Sequence, residues 1–87
     1  DAPTARGVKH VEELIRCMED GYEAYLLLVI QMKGVTRFEP NWDTHREFGE
    51  TLQKAQKAGV HILAYDCLVE PDRMEIQDPV PVRLERD

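Results

Sequence analysis

Three basic residues, Arg6, Lys9 and His10, fall within two turns near the start of the chain, where a helix is predicted. A helical period of 3.6 residues places them, together with Glu13, opposite an apolar stripe. The stripe consists of Val8, Val11, Leu14, Ile15 and Met18. A helix N-terminus carries partial positive charge, so each cation there costs about 0.3 to 1 kcal/mol, whereas an anion is stabilised. The placement indicates an anionic partner, while a solvated charged face is the competing interpretation.

The other reactive side chains do not form a catalytic or metal site. His45 and His61 are distant from each other and from His10 in sequence, and as lone histidines they are interpreted as structural. Cys17 and Cys67 lack Cys-x-x-Cys spacing, so we predict reduced, buried thiols. The sequence therefore predicts no catalytic residue, metal ligand or cofactor within these 87 residues.

Trp42 lies in a predicted loop that follows Pro40. A single aromatic side chain is not a platform for stacked bases, so packing over the core is the favoured interpretation.

Hydrophobic periodicity predicts five elements in the order helix, strand, helix, strand, strand. The first helix has Thr4 as its N-cap and ends at Asp20-Gly21. A strand follows at Tyr25 to Ile30, and a second helix runs from Asp43 or Thr44 to Gly59. The last two elements are a strand at Val60 to Val69 and a return strand at Arg73 to Gln77. The first two strands should be parallel, as in a βαβ unit, with both faces buried. The third should be antiparallel, and Pro79 and Pro81 restrict the remaining C-terminal residues to an edge or an extended tail. The expected fold is a small mixed sheet with two helices.

Length and charge limit the possible partners. The chain of 87 residues is one small domain with a net charge of −6, so affinity for nucleic acid would have to come from a local basic patch and would be weak. Its longest apolar run, Ala24 to Ile30, is far shorter than the roughly 20 residues of a membrane span, and no targeting segment is recognisable. We expect a cytoplasmic protein without a membrane partner.

Several blocks of the sequence, in one order, resemble the C-terminal part of the sugar fermentation stimulation protein family. The blocks are Thr4-Ala5-Arg6-Gly7-x-Lys9-His10, Ala24 to Gln31, Thr36-Arg37-Phe38, and Ala58-Gly59-Val60 to Ala64-Tyr65. The resemblance covers the chain from Asp1 to Leu84. It implies the C-terminal half of a restriction-endonuclease-like, PD-(D/E)xK nuclease-like domain, with an OB-like N-terminal domain and the catalytic strands outside these residues.

Family members are described as DNA-binding regulators, so the resemblance adds a function to the cationic helix. It implies that Arg6, Lys9 and His10 contact DNA phosphates and that Arg37, in the third block, assists; the alternative for Arg37 is a solvated side chain beside a packed Phe38. Many members carry glutamine where this chain has Val8, which removes one hydrogen-bonding group from the motif.

Three functions remain open at this point. The first is a DNA-binding module of a regulator of sugar fermentation. The second is a metal-dependent nuclease, whose carboxylates and divalent metal would be supplied by upstream strands, so that this chain alone would be inactive. The third is a non-catalytic scaffold or dimerisation piece, which would form a homo-oligomer without affinity for nucleic acid.

Overall fold

The computed structural model describes residues 3–31 and 34–85. It contains two helices and a three-stranded mixed sheet, which confirms the α/β class and the predicted order. The elements are α1 (Pro3–Glu19), β1 (Tyr25–Ile30), α2 (Arg46–Ala58), β2 (His61–Glu70) and β3 (Arg73–Val80). The strand order is β1-β2-β3, with β1 parallel to β2 and β2 antiparallel to β3.

Both helices pack on one face of the sheet. The core is formed by buried residues of α1, α2, the inner sheet face and the C-terminal segment: Val11, Ala24, Leu26, Leu52, Ala55, Val60 and Leu84. Leu52 and Ala55 are completely buried. The C-terminal segment is held to α2 by Gln53, whose side-chain amide donates to the Leu84 carbonyl at 2.6 Å. It is also joined to the loop after β1 by a parallel bridge between Phe38 and Val82.

The prediction that β1 and β2 are buried on both faces is wrong. Within the described residues β1 is an edge strand paired only with β2. The sheet face opposite the helices carries large apolar side chains that are about 37 to 53% exposed, and we call this set the outer sheet face. It consists of Leu27, Val29, Leu63, Val69, Met74 and Ile76. The apolar run of β1 indicates burial on two sides, but the described residues supply a cover for only one.

Three predicted boundaries also differ. The first helix begins at Pro3, so Thr4 lies inside it and is not the N-cap. The second begins at Arg46 because Asn41 organises a turn before it: the Asn41 Oδ1 accepts from the Thr44 amide at 3.3 Å, and its carbonyl accepts from the His45 amide at 2.7 Å. The last strand continues to Val80 and includes Pro79, which is tolerated because, within the described residues, β3 is the other edge of the sheet.

Candidate nucleic-acid interface

The α1 helix presents Arg6, Lys9 and His10 to solvent, and all three side chains are exposed. At 100° per residue they lie within an arc of about 100° on the side of the helix away from Val11, which is 1% exposed, and the exposed Glu13 lies in the same arc. We call these three residues the α1 cationic face. The first turn of the helix contains no acidic residue. Among the described residues, no hydrogen bond or ion pair engages any of the three side chains.

The orientation of α1 is set by close packing against α2. Val8 and Val11 are buried, and Gly7 lies against the Phe48 ring: a Cβ on Gly7 would be 3.1 Å from Phe48 Cε1. Val8, the position at which the resemblance noted above implies glutamine in relatives, faces the core side of the helix and a groove between α1 and α2. Its substitution changes packing there and does not remove a group from the α1 cationic face.

The groove between the helices is not a basic site. Its volume is about 500 Å³, and its lining includes Glu12, Glu47 and Glu50 as well as Lys54 and Lys57. The mixture of both charges has no preference for a polyanion. None of the four residues predicted to contact DNA lines this groove.

Arg37 lies on a different segment, before the Phe38–Val82 bridge, and its side chain is 53% exposed. The guanidinium Nε forms an ion pair with Glu39 Oε1. The described residues show no contact that joins Arg37 to the α1 cationic face. The structure therefore brings three of the four predicted residues together and leaves Arg37 apart from them.

A second arginine reaches the same carboxylate. Arg83 Nη1 lies 3.5 Å from Glu39 Oε1, and the Arg83 side chain is 31% exposed. Sequence reasoning missed Arg83, although the alternation of Val82, Arg83 and Leu84 indicates a strand-like segment with the arginine directed away from the core.

The isolated histidines and cysteines have local roles. His61 Nε2 lies 2.8 Å from Glu23 Oε2, and its ring stacks on Tyr25 with centroids 4.5 Å apart. Cys67 is 1% exposed, and its Sγ donates to the Ile30 carbonyl at 3.3 Å. The prediction of a buried thiol is wrong for Cys17, which is exposed because it lies on the side of α1 that faces away from the core.

Within residues 3–31 and 34–85, no group of three or more His, Cys, Asp and Glu side chains is arranged to hold a metal ion.

Trp42 is half-buried and packs over Gly49 of α2, so the packing interpretation of this side chain is confirmed. In the described part of the chain, no helix is both long and apolar enough to cross a bilayer.

Comparison with known proteins gives a consistent result. Residues 1–73 match the family described as the sugar fermentation stimulation protein RE domain. A sugar fermentation stimulation protein homolog of Clostridium beijerinckii is 58% identical over 84 residues, and one of Ruminiclostridium cellulolyticum is 55% identical. Each match covers 97% of this chain and 37% of the relative, so this chain spans little more than a third of their length.

A solved structure has the same fold. It is described as Pyrococcus furiosus SfsA in complex with Ca2+, and it superposes with a TM-score of 0.82 at 28% sequence identity. The superposition covers 95% of this chain and 36% of the archaeal chain. The five elements found here thus recur as part of a larger protein.

Proposed function

This chain belongs to the sugar fermentation stimulation protein family, and from that premise we propose that it supplies a DNA-binding surface to a regulator of sugar metabolism. Arg6 and Lys9 contact phosphates of the DNA backbone, and His10 adds a hydrogen bond or, when protonated, a third charge. Arg37 assists from the segment after β1. We propose that the protein acts in the cytoplasm, where it would bind this DNA.

The exposed position of the α1 cationic face is the observation that carries the proposal. Three basic side chains project from the first two turns of a helix whose first turn has no acid to balance them. Arg6, in the first turn, opposes the helix dipole in the free protein, and a phosphate bound at the same place would reverse this unfavourable term. A purely solubilising face would gain nothing from concentrating cations at this end of the helix.

The net charge determines what kind of binding to expect. With a net charge of −6, the chain repels DNA except at local basic patches. Phosphate contacts from a helix N-terminus position a protein on DNA without reading its sequence. We therefore propose weak, non-specific binding that depends strongly on salt concentration.

A metal-dependent nuclease is the alternative to consider, because the archaeal relative was solved in complex with Ca2+. The described residues of this chain do not offer a matching set of ligands. A nuclease activity would require carboxylates from outside this sequence, and we assign no catalytic step to these residues. Titration of the 87-residue chain with Ca2+ or Mg2+ by calorimetry tests this assignment; a stoichiometric binding heat would contradict it.

The outer sheet face supports a second candidate function, in assembly. Soluble monomers rarely expose apolar side chains clustered in this way, and β1, an edge strand within the described residues, is open to pairing with another strand. We infer that this face contacts a second copy of the chain.

Charge removal from α1 is the experiment that tests the proposed function. Affinity of the 87-residue chain for a short DNA duplex is measured for wild type, Arg6→Gln and Lys9→Gln, with Lys57→Gln on α2 as a control of equal charge change. The two α1 variants should bind more weakly, while the control keeps wild-type affinity. Equal affinity of all four proteins would reject the α1 cationic face as the site.

A further inference from the structure

Two arginines converge on one carboxylate oxygen at the edge of the C-terminal segment. Arg37 forms an ion pair with Glu39 Oε1, and Arg83 Nη1 approaches the same oxygen at 3.5 Å. Two guanidinium groups thus approach one carboxylate oxygen on a chain whose net charge is −6. Both are planar groups whose geometry suits a phosphate oxygen pair.

The backbone fixes the positions of both arginines. The Phe38 amide donates to the Pro81 carbonyl at 2.8 Å, and the Arg83 amide donates to the Phe38 carbonyl at 2.8 Å. Phe38 and Val82 pack against the core. Because side chains alternate along extended segments, residues 37, 39 and 83 are directed to the opposite side, toward solvent. The backbone hydrogen bonds therefore fix the distance between the main-chain positions of the two arginines.

Glu39 is held weakly enough to be replaced. Its side chain is 37% exposed, and ion pairs between exposed side chains contribute little net stability because water and salt screen them. A phosphate group offers more oxygen acceptors than the single carboxylate oxygen shared here, and arginine binds it in a bidentate manner.

We infer that Arg37 and Arg83 form a phosphate-binding pair that Glu39 occupies in the free protein, and that a DNA phosphate displaces Glu39 on binding. This inference rests on the proposed function, since it adds a second contact with the phosphate backbone of the same DNA. Glu39 then acts as an internal competitor that lowers affinity, and Arg83 becomes a DNA contact in its own right.

The test removes the competitor. Affinity for a short DNA duplex is measured for wild type, Glu39→Gln and Glu75→Gln; the last variant, on β3, reports the general effect of losing one negative charge. Glu39→Gln should bind DNA about twofold to fivefold more tightly than Glu75→Gln, the range set by the loss of an exposed ion pair. This difference should vanish when Arg37→Gln and Arg83→Gln are also present.

Two outcomes overturn the inference. Equal affinities of Glu39→Gln and Glu75→Gln would show that Glu39 blocks no phosphate site, and an intact gain in the double arginine background would show that other groups produce it. A lower melting temperature of Glu39→Gln without tighter binding would assign the cluster to folding alone. Failure of the proposed function is distinguishable, because Arg6→Gln and Lys9→Gln would then leave DNA affinity unchanged whatever Glu39→Gln does.

A second probe covers the case in which binding to DNA is too weak to measure. The NMR resonances of the arginine Nε–H groups are followed during titration with pyrophosphate. Those of Arg37 and Arg83 should shift, and at lower concentrations in Glu39→Gln than in wild type. Unshifted resonances would overturn the inference, and so would shifts that occur at the same pyrophosphate concentrations in Glu39→Gln and in wild type.

Discussion

Gly49 of α2 lies directly beneath the indole ring of Trp42. A Cβ at position 49 would be 2.6 Å from Trp42 Cζ3 and 3.0 Å from Pro40 Cβ, both shorter than van der Waals contact. The absence of a side chain at Gly49 thus allows the loop before α2 to close over the helix.

Gly49→Ala should therefore destabilise the protein. Alanine favours a helix by about 1 kcal/mol over glycine, but overpacking costs about 1 to 3 kcal/mol, and rigid ring and proline atoms cannot easily move away. We expect a net loss of about 1 kcal/mol in the free energy of unfolding, measured by urea denaturation. The loss should shrink in the Trp42→Ala background, where only the contact with Pro40 Cβ still opposes the helix preference; a loss of equal size there would show that the ring is not the obstacle.

Two leucines should differ greatly in how much their side chains contribute to the free energy of unfolding. Leu52 is completely buried, whereas Leu63 on the outer sheet face is 44% exposed. Leu52→Ala should lower the free energy of unfolding by about 2 to 5 kcal/mol, and Leu63→Ala by less than about 1 kcal/mol. Urea denaturation of both variants checks this, and similar losses would mean that the outer sheet face is covered in solution.

Self-association is expected if a second copy can cover the outer sheet face. Light scattering of the 87-residue chain should then show an oligomer at high concentration, because exposed apolar area drives contact. Leu27→Lys combined with Leu63→Lys should give a monomer. Tyr22→Lys is the control, since Tyr22 is 69% exposed but lies in the turn between α1 and β1. A monomeric wild type, or dissociation by the control, would contradict the role of this face in self-association.

The two thiols should differ in reactivity. Cys17 is exposed and Cys67 is 1% exposed, so a thiol reagent should modify one cysteine rapidly in the folded protein and both after unfolding. Cys17→Ser should remove the rapid reaction. Rapid modification of two thiols in the native state would show that β2 is not packed as described.

Because Arg6 lies in the first turn of α1, the Arg6→Glu variant tests the stability of the protein as well as its DNA binding. An anion in the first turn of α1 interacts favourably with the helix dipole, so the variant should be more stable by about 0.3 to 1 kcal/mol. The matched control is Lys57→Glu, since Lys57 lies in the last turn of α2 and its replacement should destabilise by a similar amount. Thermal or urea denaturation of both variants checks the expected gain in stability for Arg6→Glu and the expected loss for Lys57→Glu. A stability loss in Arg6→Glu would show that the arginine is there for folding.

The sequence was sufficient for the order of elements and for the exposure of the α1 cationic face, because both follow from the period of the apolar residues. It did not predict that the outer sheet face lacks a cover within the described residues, since an apolar strand has the same pattern whether its cover belongs to the same chain or to another polypeptide. It also missed the meeting of Arg37 and Arg83 at Glu39. That contact depends on the Phe38–Val82 bridge, which joins segments far apart in the sequence and leaves no local periodic signal.

The salt dependence of DNA binding tests the central claim most directly. Each phosphate contact contributes about −0.9 to the slope of log affinity against log salt concentration, measured between about 50 and 200 mM. The Arg6→Gln/Lys9→Gln variant should show a slope smaller in magnitude by about 1.8 than that of wild type, while Lys57→Gln keeps the wild-type slope. An unchanged slope in the double variant would contradict the assignment of the α1 cationic face to DNA.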